Sequence, residues 1–435
     1  MQKALLMFAA GFLLFRLAAC ETDKSNGRSV PGGYPRHEPY GTGIGAMPGR
    51  VVWSYNPASV EWDGSGWWWE TEHFDEDVIL NMVNASIASL GGAKTAKAGW
   101  NALFAAHKKS RGMDGGYATG EKIAVKANIN GSAVFGDDFS GKTQMSYTNP
   151  VLLKALLTSL VQEGGVNPSD ITVYDVSRIF PDYMVNLCTE GILGGIQFVG
   201  RNNGTADTAA PIRWSHTFSG TANYLPACVT GATYIINLAN LKGHSYGITL
   251  CGKNHFGSFI NGNRMRPPEK AGLHQWLTKS QMGIYSPIVD LMANAALGGK
   301  TVLYMLDALI CAPSEGSSIT GRNSKWQQPP FNGNYTASIF VSQDPVAIDS
   351  VGADFLNNEP AVTESNPSAA DITNENYLHE AGLVGAPPSG TQYTDGNGNA
   401  AANLGVHEHW NNAAQKQYSR NLGKPEGIEL VWIHE

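Results

Sequence analysis

Apolar residues recur along this chain with two periods. Residues 122–129 (KIAVKANI) form a short apolar run. From Asn149 onward the apolar positions fall at 152, 153, 156, 157, 160 and 161, the spacing of one helix face. Asn149 offers an acceptor to the orphan amides of the first turn. Pro150 suits the first helical position because no donor is needed there, and Gly164-Gly165 close the helix. A second run, 170–175, completes a strand, helix, strand unit, which implies parallel strands and a right-handed crossover. The same grammar returns downstream. Residues 233–238 read as a strand, Ser286-Pro287 open a helix reaching Gly298-Gly299, and 301–307 form the next strand. Residues 337–342 then lead through Gln343 into Asp344-Pro345 and the helix VAIDSVGADFL. Upstream, residues 75–90 predict a helix ended by Gly91-Gly92. This alternation predicts an α/β fold, a parallel or mixed sheet flanked by helices. The stretches 100–120, 195–232, 255–285 and 312–336 read as long loop insertions.

Composition narrows the class. With 42% hydrophobic residues the chain can bury a core. Beyond its N-terminus no apolar stretch approaches the ~20 residues that span a bilayer, so disordered and multipass membrane classes are excluded. The 50 glycines and only 15% charged residues, against a usual ~25%, predict a turn-rich molecule. The net charge is −7, and no basic stripe points to nucleic acid. The first 20 residues combine Lys3, an apolar run from Ala4 to Phe15, and Leu17-Ala18-Ala19-Cys20. That is a secretory leader whose end resembles a bacterial lipobox. Cys20 is then the lipidated first residue of an exported, periplasmic or cell-surface protein anchored in a bacterial membrane; the alternative is an ordinary cleaved signal. Residues 21–47 lack periodicity and read as a flexible tether, with a single large domain from 48 to 435. Cys188, Cys228, Cys251 and Cys311 remain, with no C-x-x-C spacing. They make two disulfides by one of three pairings, or they are buried thiols.

Polar residues end each predicted strand: Lys126 and Asn128, Asp175, Asn237, Asp307, and Ser342-Gln343-Asp344. In a parallel sheet the carboxyl ends of the strands border one crevice, so Lys126, Asn128, Asp175, Asp307 and Asp344 are candidate ligand-binding residues, together with Asp349. For Asp344, a helix-capping role competes. The segment LKGHSYGITLCGKNHFGSF is the densest polar cluster. Lys242, His244, Lys253 and Asn254 are its catalytic candidates, with His244 poised as acid or base near neutral pH and the two lysines holding an anion. Near the C-terminus, His407 and His409 fall on one face of a strand with Glu408 on the other, which predicts a candidate metal pair. Asp395 to Asn399 lacks the closing glutamate of a calcium loop and reads as a turn. Trp62 and Trp67-Trp68-Trp69 are either a sugar-stacking platform or a plug over the sheet, and the plug is favoured.

These blocks in order (KIAVKANIN, NPVLLKALLTSLVQEGG, ITVYDVS, INLANLKGHSYGITLCGKNHFGSF, VLYMLDAL and SQDPVAIDSVGADFL) resemble the family catalogued as domain of unknown function 362, over about residues 120–357. The outer segments are similar to those of its secreted bacterial members. The resemblance implies site roles for Lys242, His244, Lys253, Asn254, Asp344 and Asp349, but no established activity. The cysteine clusters of some members, linked to redox roles, are missing here. A more distant likeness to the α/β domain of a nickel-dependent racemase is analogy only. The combined expectation is an exported, lipid-anchored protein, an enzyme acting on a small anionic or polar ligand, with cofactor unknown. A noncatalytic binder of carbohydrate or nutrient and a metal-dependent enzyme using His407 and His409 are the alternatives.

Overall fold

The computed structural model describes residues 33–132, 142–217, 222–261, 273–277 and 281–434. The leader, Cys20 and residues 21–32 lie outside the described residues. Eight strands form the central sheet: β1 (Arg50–Tyr55), β2 (Ile123–Lys126), β3 (Ile171–Asp175), β4 (Gln197–Gly200), β5 (Tyr234–Asn240), β6 (Thr301–Ala308), β7 (Ser338–Ser342) and β8 (Glu429–His434). Their spatial order is β8-β1-β7-β6-β5-β2-β3-β4. The strands β6, β5, β2, β3 and β4 pair in parallel, as do β8 and β1. Only β7 runs against its neighbours β6 and β1. The sheet is therefore mixed.

Helices cover both faces, which is why most strands are apolar throughout rather than alternating. On one face lie α1 (Glu76–Leu90), α2 (Ala96–Ser110) and α3 (Pro150–Gln162), packing Ile79, Trp100, Leu103 and Leu156 against the sheet. The opposite face carries the short α4 (Cys251–Asn254), α5 (Pro287–Ala293), α6 (Pro345–Asn357) and α7 (Asn376–Gly382), with Leu291, Val346 and Leu378 in its core. The cap expected at Asn149 is present, and Asp75 supplies another. Asp75 accepts from the Val78 amide, and Asn149 accepts from those of Val151 and Leu152. Three local readings change, the first being that the 195–232 stretch, expected as a loop insertion, supplies strand β4 of the central sheet. Ser286 makes no capping bond and its helix stops at Ala293. Part of the 100–120 stretch is α2, opened by Thr95 accepting from Ala98 and buried through Trp100, Leu103 and Phe104.

The direction of β7 decides which residues share a rim. Ser338 lies opposite Ala308, at the carboxyl end of β6, and Ser342 opposite Tyr304. Gln343 and Asp344 thus emerge at the rim formed by the amino ends of the parallel strands, where the Gln343 amide donates to the Val302 carbonyl at 2.9 Å.

Residues 33–47, expected as tether, lie against the domain. Tyr34 is buried and stacks on His409 at 4.6 Å, Tyr40–Gly41 pairs with Val406–His407, and the Ile44 amide donates to Asp344. Three of the four tryptophans at 62 and 67–69 are interior, and Trp67 is half-buried against Trp69. Trp62, Trp68 and Trp69 are buried, and the last two indoles donate to the Met145 and Thr143 carbonyls. They form the plug. Cys188, Cys228, Cys251 and Cys311 are all unpaired thiols, which decides for the thiol reading over the disulfides.

Candidate functional site

The strands β2, β3 and β5 deliver their carboxyl ends to one rim, and the chain leaving β5 folds back over it. Lys242–His244 pairs with Gly247–Thr249 as a tight hairpin, α4 follows, and a single turn at His255–Gly257 brings the backbone down onto β3. Gly247 has φ +110, and a Cβ there would meet Asn374 Oδ1 at 2.1 Å, so only glycine fits this turn. At Gly257 the reason is different: a Cβ would lie 2.6 Å from Asp175 Oδ1 and 2.9 Å from Lys126 Nζ.

Between the rim and this flap is a cavity of about 370 Å3, a size suited to a small organic ligand. Lys126, Asn128, Asp175, Lys242, His244, Lys253 and Asn254 all line it. These seven sequence candidates, up to 128 residues apart, come together. Asn130, Ser177, Tyr246, Thr249, Phe256, His274 and Glu315 complete the wall. Tyr246, Thr249 and Phe256 belong to the segment already singled out by its polar cluster and Ser177 follows Asp175 at a strand end, whereas Asn130, His274 and Glu315 gave no sequence signal, each standing alone in an apparent loop.

Two lysines have contrasting surroundings. Lys126 Nζ donates to Asp175 Oδ2 at 3.0 Å, to Asn254 Oδ1 at 3.1 Å and to the Ala127 carbonyl. Asp175 also accepts from the Ile129 and Ser177 amides and from the Ser177 hydroxyl, so this pair is a rigid floor. Asn254 is locked in turn by donating to Asn237 Oδ1 and the Leu238 carbonyl. Lys242 is fully buried, and its partners are neutral: the Ser146 carbonyl at 2.8 Å and Asn128 Oδ1 at 3.4 Å. Burial pushes its ammonium down to about 7, against a partial upward pull from Glu315. An amine that titrates at neutral pH in a cavity wall is a chemically useful group.

His244 is oriented by the Tyr246 amide, which donates to Nδ1 at 2.9 Å. The neutral ring therefore carries its proton on Nε2. That nitrogen lies 3.2 Å from Lys253 Nζ and 3.7 Å from Glu315 Oε1. Glu315 is held by the Ser245 amide and hydroxyl. In this arrangement His244 offers a hydrogen bond into the cavity, while Lys242 is the group with a proton to take or give. Lys253 Nζ also lies 3.4 Å from His274 Nε2 and 4.8 Å from the centre of the Phe256 ring. Burial, with Lys253 alongside, holds His274 down at about 3.

The other candidates lie elsewhere. Asp344, at the opposite rim, accepts the amides of Val346, Ala347, Ile44 and Val406. It caps α6 and splices three chain segments. Asp349 accepts the Cys251 and Gly252 amides at 2.8 and 2.9 Å and the Tyr377 hydroxyl at 3.0 Å, so it supports α4 from behind the cavity. Asp307 accepts the Asn149 amide and the Asn240 side chain, one layer behind Lys242. All three are buried carboxylates occupied by backbone donors, and burial raises them, Asp307 to about 6 and the other two to about 7. The C-terminal pair also separates. His407 faces His37 and His379, whereas both nitrogens of His409 are taken, by Asp354 Oδ1 at 2.7 Å and Glu375 Oε2 at 2.6 Å. Burial alone would lower His409, but the two carboxylates outweigh it and hold it up at about 10. An imidazolium has no lone pair for a metal. Glu408 points the other way, to Ser419 and Ile428.

Among known proteins, one family, described as a domain of unknown function (DUF362), matches residues 123–354, just over half of the chain. No curated protein matches it.

Proposed function

The chain belongs to the DUF362 family, and from that premise and the cavity we propose that it is an enzyme acting on a small organic anion, a carboxylate or phosphate ester. The observation that carries this reading is Lys242, whose ammonium is enclosed at the cavity wall with only neutral partners. An anion bound there would supply the missing counter-charge and a further acceptor for its protons. Lys242 then serves as the proton-transfer group, His244 as a hydrogen-bond donor to the negative end of the substrate, and Lys253 as the second cation. Lys126, Asp175, Asn128 and Asn254 set the floor. The alternative of a noncatalytic carbohydrate binder loses most of its contact surface, because Trp62, Trp68 and Trp69 are interior and only Trp67 is half-buried. The leader supports placing this enzyme outside the cytoplasm on a lipid anchor at Cys20.

The test is calorimetric titration of a panel of small carboxylates and phosphate esters into wild type, Lys242→Met and His244→Gln. Wild type should bind one class saturably, and Lys242→Met should weaken it at least about tenfold. A compound that wild type converts should be converted about 100-fold more slowly by His244→Gln. Binding that is indifferent to Lys242→Met, or no binding by wild type, would refute the proposal.

A further inference from the structure

Away from the cavity, four ligating side chains converge where residues 33–47 cross the C-terminal segments. His37, Glu375, His379 and His407 each offer one nitrogen or carboxylate oxygen, and these atoms all lie within 4.8 Å of one another.

The outer partners of the rings decide what those nitrogens carry. The Ser350 hydroxyl donates to the Val346 carbonyl at 2.7 Å. At 2.8 Å from His407 Nδ1 it can therefore only accept, so His407 is protonated on Nδ1 and bears its lone pair on Nε2. His37 Nδ1 lies 2.7 Å from the Glu38 carbonyl, which also only accepts, so the His37 lone pair is on Nε2 as well. These two Nε2 atoms face each other at 3.2 Å, lone pair against lone pair, with no proton to share. His379 Nε2 is buried and lies 3.2 Å from Glu375 Oε2, but among the described residues it makes no hydrogen bond of good geometry. A cation at the common centre satisfies all four groups at once.

We propose that His37, Glu375, His379 and His407 bind a divalent first-row transition ion of the Zn2+ type. Three imidazoles and one carboxylate suit such an ion and disfavour Mg2+ or Ca2+, which require mostly oxygen ligands. Ligands about 2.1 Å from one ion are at most about 4.2 Å apart, so closing from 4.8 Å needs only side-chain adjustment. Donation of the far ring nitrogen to a carbonyl or hydroxyl is the usual outer support of a metal-bound histidine. His409 belongs to this outer layer: bound to Asp354 and Glu375, it fixes the carboxylate rather than ligating.

The experiment uses tag-free protein stripped with a chelator, then titrated separately with Zn2+ and Mg2+. Wild type should bind one equivalent of Zn2+ and ignore Mg2+. His37→Ala and His379→Ala, at the two partly exposed positions, should weaken Zn2+ binding about 10- to 100-fold and abolish the Zn2+-induced rise in melting temperature, while leaving the metal-free melting temperature within a few degrees of wild type. Co2+ should give visible absorption in wild type that His379→Ala loses. Lys242→Met should bind Zn2+ normally, which separates this site from the cavity. Wild type that takes up no Zn2+, or histidine variants that bind it as tightly, would overturn the assignment.

Discussion

Replacing Lys242 by Met should stabilise the protein, and by an amount that depends on pH. Burial lowers the ammonium from 10.5 to about 7, and each unit is about 1.36 kcal/mol. Below pH 7 the lysine is charged in both the folded and unfolded states, so the folded state bears the whole desolvation cost, about 5 kcal/mol at pH 6. Between pH 7 and 10.5 the unfolded chain still holds the proton that the folded chain has released. Stability therefore rises with pH, and the cost falls to about 2 kcal/mol at pH 9. Methionine removes the charge but orphans the Ser146 carbonyl, now bonded at 2.8 Å, at about 1–3 kcal/mol. The net gain at pH 6 is then about 2–4 kcal/mol, and near pH 9 the two proteins should be within about 1 kcal/mol of each other. Urea denaturation of both at the two pH values measures the difference, and other titrating groups cancel in the comparison. A gain that is equal at pH 6 and pH 9, or a loss at both, would refute the argument that Lys242 is charged at a cost.

Two further substitutions test how the site is built. Asp349→Ala leaves the Cys251 and Gly252 amides without their acceptor, so it should lower stability by about 2–4 kcal/mol and weaken ligand binding through α4, read by thermal unfolding and calorimetry. Gly257→Ala drives a methyl group against Asp175 and Lys126. It should destabilise by about 1–3 kcal/mol and reduce affinity for the cavity ligand; unchanged values would show that the floor can shift.

Much of this arrangement was legible from residues alone. The cap and periodicity at Asn149-Pro150 fixed a helix, and the polar ends of β2 and β3 together with the block from Lys242 to Asn254 marked the cavity wall. What failed was direction. Residues 338–342 are as apolar as any parallel strand, and burial on both faces hides the sense in which a strand runs, so Asp344 was assigned to the wrong rim. Asp349 and Asp307 were misread because a buried carboxylate that accepts amides looks, in one dimension, like one that faces a ligand. His37 and His379 escaped notice because each stands alone in sequence, more than 300 residues apart, and only tertiary contact brings them to His407. The tautomer of His244 depends on a single backbone bond from Tyr246, which no composition rule could supply.

The strand order has a practical consequence for anyone cutting this gene. The family-matched segment begins at β2 and ends within α6, so β1, drawn from before it, is the strand that covers β7, and β8, drawn from after it, in turn covers β1, so that either flank alone leaves an open edge. Every residue of β7 is buried. A fragment trimmed to residues 123–354 would leave that row of amides and carbonyls, flanked by Ile339, Phe340 and Val341, as a naked edge open to pairing with other molecules. Expression of the family-matched portion by itself should therefore give inclusion bodies, and rescue should come from restoring both flanks together rather than either one.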